Sequence, residues 1–278
     1  MARVLLTGSG GYLGQCLSQL LLSHGYEPVN LPGRLETLEP ATLEVDAVIH
    51  CAVSRQNVFP PEQLNITNVT GMQRLLAALV RPTRIVFVSS RWVYGPLDQQ
   101  PCTEAFPPHP VTNYGQSKLQ AEQLLTNSHH PAFIIRSSAL FGAGVTRFGR
   151  TLLDQTLLNL VKHEPITLFT PDSLRDYVYV WDLANGIMQA LSRFELWPAC
   201  INLTGPRRSV HGLISHLLAV YQEHTGYEAK LILRPGHGPA ADFPALDTSK
   251  WLNYFGKSSL SPDQLVFERM CDFIHAKS

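Results

Sequence analysis

Charge is scarce in this sequence. Only 16% of its 278 residues are Asp, Glu, Lys or Arg, against roughly 25% in an ordinary globular domain. No net charge is left over, because 22 basic residues balance 22 acidic ones. A chain so balanced lacks the electrostatic footprint with which proteins hold nucleic acid or an anionic membrane. Long apolar runs are also missing. None approaches the roughly 18 residues of a membrane span, and Val4-Leu5-Leu6 is too short for the apolar stretch of a signal peptide. Cysteine is sparse and scattered: Cys16, Cys51, Cys102, Cys200 and Cys271, an odd number with no Cys-x-x-Cys. That excludes a disulfide framework and a structural zinc site, and it fits reduced thiols in a cytoplasmic protein. The eleven histidines form no His-Glu-x-x-His pattern, so no metal is expected. Apolar residues are not scarce: they make up 45% of the chain, too many for disorder.

Those apolar residues are ordered by period. Arg3–Thr7 reads as a strand, followed by a glycine cluster and an amphipathic helix from Tyr12 to Ser23. Further strands are expected at 28–31, 46–53, 84–89 and 132–137, and helices at 64–79 and 113–127. The run from Asp46 to Val53 lacks alternation, as a strand buried on both faces does. Strands and helices alternating at this spacing predict an α/β fold, a parallel sheet with helices on both faces. The second half is less regular. It offers helices at 152–162, 182–192, 210–224 and 262–276, a strand at 199–203 and a Pro/Gly-rich loop at 234–244.

The first strand runs into Thr7-Gly8-Ser9-Gly10-Gly11-Tyr12-Leu13-Gly14. Gly8 permits a tight turn, Gly11 a close approach of backbone to pyrophosphate, and Gly14 close packing of helix on strand. The free N–H groups of the helix start are a ready phosphate site. Gly8, Gly11, Tyr12, Leu13 and Gly14 are therefore the candidate residues for a dinucleotide cofactor. After the second strand the chain carries Gly33-Arg34 where an acidic residue would hold the ribose hydroxyl of NAD. Arg34 suits a 2′-phosphate, which points to NADP, while Glu36 nearby keeps NAD open.

Tyr114 and Lys118 form Tyr-x-x-x-Lys on a predicted helix, so both side chains share a face. A phenol with a pKa near 10 is a poor acid–base group at neutral pH. A neighbouring ammonium favours the phenolate and tunes it for general acid–base work. Ser90 ends the buried strand 85–89, at the sheet edge where open α/β folds bind ligands. A hydroxyl there can hold a substrate oxygen. The spacing of Tyr and Lys is unspecific by itself; its position after the glycine loop gives it weight.

Together with Asp46-Ala47-Val48-Ile49-His50-Cys51-Ala52, Ser89-Ser90-Arg91-Trp92-Val93-Tyr94-Gly95, Asn68-Val69-Thr70-Gly71, Arg175-Asp176-Tyr177-Val178-Tyr179-Val180 and Asp247-Thr248-Ser249-Lys250, these motifs resemble the extended short-chain dehydrogenase/reductase family. This is the NAD(P)-dependent epimerase/dehydratase group, most members of which act on nucleotide sugars. The resemblance spans nearly the whole chain. It implies a Rossmann-like doubly wound sheet with a small discontinuous C-terminal substrate lobe. The cofactor domain would comprise 1–142 and 174–203, and the lobe 143–173 and 204–278. Tyr114 would be the proton donor or acceptor. Lys118 would lower its pKa and hold the nicotinamide ribose, and Ser90 would orient the substrate carbonyl. Ala52 would line the cofactor cleft, Asn68 would be structural or part of a proton relay, and Arg175 would meet a substrate phosphate.

Departures from the family pattern narrow the activity. The Asp-Glu pair that family dehydratases carry after the catalytic Ser/Thr is here Arg91-Trp92, so elimination of water lacks its acid and base. Ala139 stands where many hexose epimerases have Asn. The short 34–46 segment, Ile134–Ser138 and Leu246–Lys250 are similar to dTDP-4-dehydrorhamnose reductases, whereas Arg175-Asp176-Tyr177 is more epimerase-like. The leading expectation is NADPH-dependent reduction of a ketone on a nucleotide-linked sugar. Three alternatives stand beside it: an epimerase that retains its cofactor, a reductase of a non-sugar carbonyl, and a non-catalytic cofactor-sensing subunit. For a non-sugar carbonyl, Trp92, Phe106, Phe141 and Phe148 are candidate pocket aromatics. Arg147, Arg150 and Arg234 join Arg175 as candidates for a diphosphate clamp. The family resemblance also implies a homodimer through helices 64–79 and 119–126, with Leu75, Leu76, Leu79, Leu124 and Leu125 in its contact.

Overall fold

The computed structural model describes residues 1–31, 33–53, 65–96, 101–146, 149, 151–193, 199–234 and 245–276. Six parallel strands form the central sheet, in the order β2-β1-β3-β4-β5-β10. They are β1 (Arg3–Thr7), β2 (Glu27–Val29), β3 (Ala47–His50), β4 (Arg84–Ser90), β5 (Ala132–Ser137) and β10 (Cys200–Leu203). The chain passes from β1 to β2 on one side and then to β3 on the other. The carboxyl ends of β1 and β3 therefore flank the point where strand order reverses, the usual crevice for a ligand in such sheets.

Alternation along each strand divides the core between two faces. Val4 and Leu6 of β1 belong to one apolar cluster, with helix α1 (Tyr12–Ser23) supplying Leu13, Leu17 and Leu21. Helix α5 (Val180–Ser192) packs on the same face through Leu183, Ala184 and Ile187. Leu5, Val48, Ile85 and Phe87 point the other way, to helices α2 (Gly71–Ala78) and α3 (Asn113–Thr126). The helix expected at 64–79 is not uniform. Asn65–Thr70 is a π-helical stretch, and the α-helix proper begins only at Gly71.

Among the described residues, three two-stranded pairings that periodicity did not reveal lie outside the central sheet. Strand β6 (Ala139–Phe141) runs parallel to β9 (Tyr177–Tyr179), β7 (Ile166–Leu168) parallel to β12 (Leu231–Leu233), and β8 (Leu174–Arg175) antiparallel to β11 (Arg208–Ser209). Each strand has two or three residues, too few to show a period. Helices α4 (Leu152–Val161), α6 (Val210–Thr225), α7 (Ser249–Phe255) and α8 (Asp263–His275) complete the fold. Helix α7 was not anticipated from sequence; it is anchored by Trp251, fully buried against Gly186 of α5. Among the described residues, no helix is long and apolar enough to cross a membrane.

Candidate active site

The glycine loop closes the crevice between β1 and β3. Gly8 has φ +76°, and a Cβ there would stand 2.7 Å from the Ala52 nitrogen. A Cβ on Gly14 would stand 2.1 Å from the Gly8 carbonyl oxygen. Both collisions are with backbone, so neither position tolerates a side chain. Gly11 N–H donates to Gly8 O at 2.8 Å, which tightens the turn. Gly11 also precedes α1 in extended conformation, and no side chain caps that helix start. The first N–H groups of α1 are thus aimed into the crevice without a side-chain acceptor from the cap residue, the arrangement a pyrophosphate needs. The cradle that Gly8, Gly11 and Gly14 form fits a dinucleotide. Ala52, two residues past the end of β3, stands against the loop, its N–H donating to Thr7 Oγ1 at 3.3 Å.

Tyr12 enters this region differently from the glycines. Its hydroxyl donates to the Gly142 carbonyl at 2.5 Å, and burial pushes its phenol far above the ordinary range. One turn along, Gln15 Oε1 accepts from Thr146 Oγ1 at 2.6 Å. Tyr12 therefore ties the start of α1 to the segment after β6, while Leu13 is buried in the core beneath the loop.

Helix α3 brings the candidate acid–base residues to the end of β4. Thr112 caps it, accepting from Gly115 N–H at 3.1 Å. Gly115 is jammed under the turn that follows Ser90: a Cβ there would stand 2.3 Å from Trp92 O. This contact seats the turn bearing half-buried Tyr114 against the end of the strand that bears Ser90. Ser90 is 8% exposed, and its Oγ accepts from Trp92 N–H at 3.4 Å. Lys118 is buried. Its Nζ donates to Val88 O at 2.9 Å and sits 4.6 Å above the Phe87 ring. Burial lowers its pKa to about 8, although the negative charge of Glu122 works against the fall.

Apart from Asn68, the remaining support was not read from the sequence. Buried Asn68, in the π-helical stretch, donates to Ser117 Oγ at 2.9 Å, and Ser117 Oγ donates to Tyr114 O at 2.9 Å. Glu122 lies one turn beyond Lys118 on the same buried face of α3. It accepts from Ser89 Oγ and holds Arg136 of β5 at 2.6 Å. Arg136 also lies over the Tyr94 ring at 4.8 Å, and Tyr94 donates to Asn202 of β10 at 2.8 Å. Two signals could have found this network: the i, i+4, i+8 spacing of Tyr114, Lys118 and Glu122, and a lone arginine inside the apolar strand Ala132–Ser137. His50 is a further buried member. It bonds Thr7 through Nδ1 at 2.7 Å, and burial lowers its pKa to about 3, so it stays neutral.

The other expected site residues are spread out. Arg34 is 85% exposed and 3.8 Å from Glu36, so the two residues that argue for opposite cofactors stand together. Arg175 is half-buried on β8, directly across the ladder from Arg208. Arg234 is exposed; Arg147, Arg150 and Phe148 lie outside the described residues. Phe141 belongs to the core, and Phe106 packs against the Val93–Tyr94–Cys102–Leu246 cluster.

Residues 4–203 match the profile of the NAD dependent epimerase/dehydratase family. The chain is 28% identical over 204 residues to a dTDP-4-dehydrorhamnose reductase of Aggregatibacter actinomycetemcomitans, covering 68% of this chain and 67% of that protein. It is 30% identical over 236 residues to a UDP-glucose 4-epimerase of Streptomyces lividans, covering 69% and 72%. The fold is similar to that of UDP-glucuronic acid 4-epimerase from Bacillus cereus, solved in complex with NAD. That likeness has a TM-score of 0.80 at 21% identity over 99% of both chains.

Proposed function

The chain belongs to the NAD-dependent epimerase/dehydratase family, and from that premise we propose that it is an NADPH-dependent reductase of a ketone on a nucleotide-linked sugar. The observation that carries this reading is half-buried Tyr114 and buried Lys118 one turn apart on α3, with Gly115 seated against the turn after Ser90. The turn itself offers no acid at 91 or 92 for elimination.

When bound, the nicotinamide supplies the hydride. The protein's task is to place the ketone and protonate its oxygen. Ser90 Oγ donates to the carbonyl oxygen and orients it. Tyr114 gives its phenolic proton to that oxygen as negative charge develops. The Lys118 ammonium, fixed by Val88 O, makes the phenolate left behind less costly. Exposed Arg34 would take the 2′-phosphate of NADP, and Arg175 the substrate diphosphate. The same reading divides the chain into a cofactor domain, 1–142 and 174–203, and a substrate lobe, 143–173 and 204–278. It also pairs two copies through α2 and α3 and has the protein work in the cytoplasm.

The test is NADPH oxidation across a panel of 4-keto sugar nucleotides and simple ketones. Saturating turnover of at least one sugar nucleotide is expected. Turnover of a non-nucleotide ketone alone overturns the reading. The Tyr114→Phe variant should keep cofactor binding and lose nearly all turnover, on the order of a hundredfold or more for loss of a general acid; near-normal rates would sink the role of Tyr114. A second reading, epimerisation with retained cofactor, is favoured by the 30% identity to a UDP-glucose 4-epimerase. Cofactor that co-purifies and is never consumed would select it.

A further inference from the structure

The turn after β4 carries a buried cation beside Ser90. Arg91 is 5% exposed, and its Nη1 lies 2.5 Å from Asp176 Oδ1. Its Nη2 donates to the Asp176 carbonyl at 3.3 Å. The second carboxylate oxygen of Asp176 accepts from Thr204 Oγ1 at 2.6 Å. These residues come from three separate segments: the end of the strand bearing Ser90, the link between β8 and β9, and the residue just after β10. Burying either charge alone would be costly; together they persist because each neutralises the other and their hydrogen bonds are made.

The consequence lies one residue away on each side of the pair. Arg91 follows Ser90, and Asp176 follows Arg175. Strand β8 has only two residues, paired to a two-residue β11, and so short a ladder cannot hold its own position. Arg208, opposite Arg175 across that ladder, is itself held by Asp263 at 3.2 Å. The grip of one guanidinium on both the carboxylate and the carbonyl of Asp176 fixes the residue that follows Arg175.

We propose that the Arg91–Asp176 pair is a strut that sets the distance between the carbonyl-binding end of the site and the phosphate-binding strand. Arg91 is then a positioning residue, and the substrates it selects carry a ketone and a diphosphate at a fixed separation. A cation also stands where an acid would be needed for elimination, its charge already committed to Asp176. The inference rests on the function proposed above for the substrate class.

The test uses the full chain and the variants Arg91→Met, Arg91→Lys and Asp176→Asn. Binding of dTDP and UDP is measured by calorimetry, NADPH binding by fluorescence, and kcat and KM separately with any sugar nucleotide that turns over. Arg91→Met should weaken nucleoside diphosphate binding and raise KM about tenfold, the scale of one lost positioning contact. NADPH affinity should stay within about twofold. Arg91→Lys should recover part of the loss, and Asp176→Asn should resemble Arg91→Met. Thr204→Val removes one hydroxyl and keeps both charges; it tests the strut if the charge variants fail to fold, with the same split expected in milder form. Unchanged nucleoside diphosphate affinity and KM in a folded variant overturn the strut. An equal loss of NADPH affinity overturns it too, since that is general unfolding. Wild-type protein that binds dTDP or UDP but reduces no keto sugar refutes the proposed reaction and leaves the strut testable by binding. Wild-type protein that binds neither nucleotide overturns the strut.

Discussion

Lys118 joins burial and, in the proposed reaction, acid–base chemistry in one side chain. Its folded pKa of about 8 lies below the ordinary 10.5 because the ammonium has left water. Between those values the unfolded chain holds the proton and the folded chain has released it, so stability rises with pH across that window. Below about pH 8 both states are protonated and the cost of burying the charge stands in full. The proposed reduction needs the ammonium, since only the charged form would ease Tyr114 toward phenolate. The expected outcome is an alkaline limb in kcat/KM near pH 8, read from NADPH oxidation over about pH 6 to 10. A rate flat through that range would separate Lys118 from proton transfer. Tyr114 and Lys118 were legible in the sequence because helical spacing alone puts them on one face. The fall in the lysine's pKa was not, because it depends on Val88 and Phe87 closing around the amine.

Helix α3 shows how an element can be recognised and its role still missed. Its bounds follow from Thr112 as cap and from the pattern of buried residues. Four of those buried residues, however, are Gly115, Ser117, Lys118 and Glu122, so the inner face lacks the apolar stripe expected of a core helix. It is satisfied instead by Ser89, Asn68, the Val88 carbonyl and Arg136. Glu122→Ala would leave the Arg136 guanidinium buried beside a void, which costs about 3–5 kcal/mol for a broken buried pair. Chemical denaturation should show that loss, together with weaker seating of α3. A change under about 1 kcal/mol, the worth of a surface pair, would mean that Arg136 finds water instead. Helix α2 departs from expectation for a related reason. The π-helical stretch before it turns Asn68 inward to Ser117, and a continuous α-helical period over 64–79 cannot register that extra residue.

At the scale of the molecule, the low charge of the chain is matched by what the fold buries. Both faces of the sheet are apolar, and several of the few charges are consumed inside, in Arg136–Glu122 and Arg91–Asp176. Of the five leucines expected in a dimer contact, Leu75, Leu79 and Leu125 are buried in the single chain. Only half-buried Leu76 and Leu124 are left to form one. If two copies pair through α2 and α3, the double variant Leu76→Glu/Leu124→Glu should sediment as a monomer while wild type sediments as a dimer. A monomeric wild type would remove the pairing. The sequence by itself determined the alternation of strands and helices, the glycine cradle, and Tyr114 and Lys118 on one face, because each is written in residues within a turn or two of one another. Period, positive φ and i, i+4 spacing are local quantities. Only the tertiary structure decided which charges and polar groups would be buried and with what: the charges Arg91 with Asp176 and Glu122 with Arg136, and the neutral pair Tyr94 with Asn202. Those partners lie 14 to 108 residues apart, and a charge chooses its partner only when folding has removed water from both.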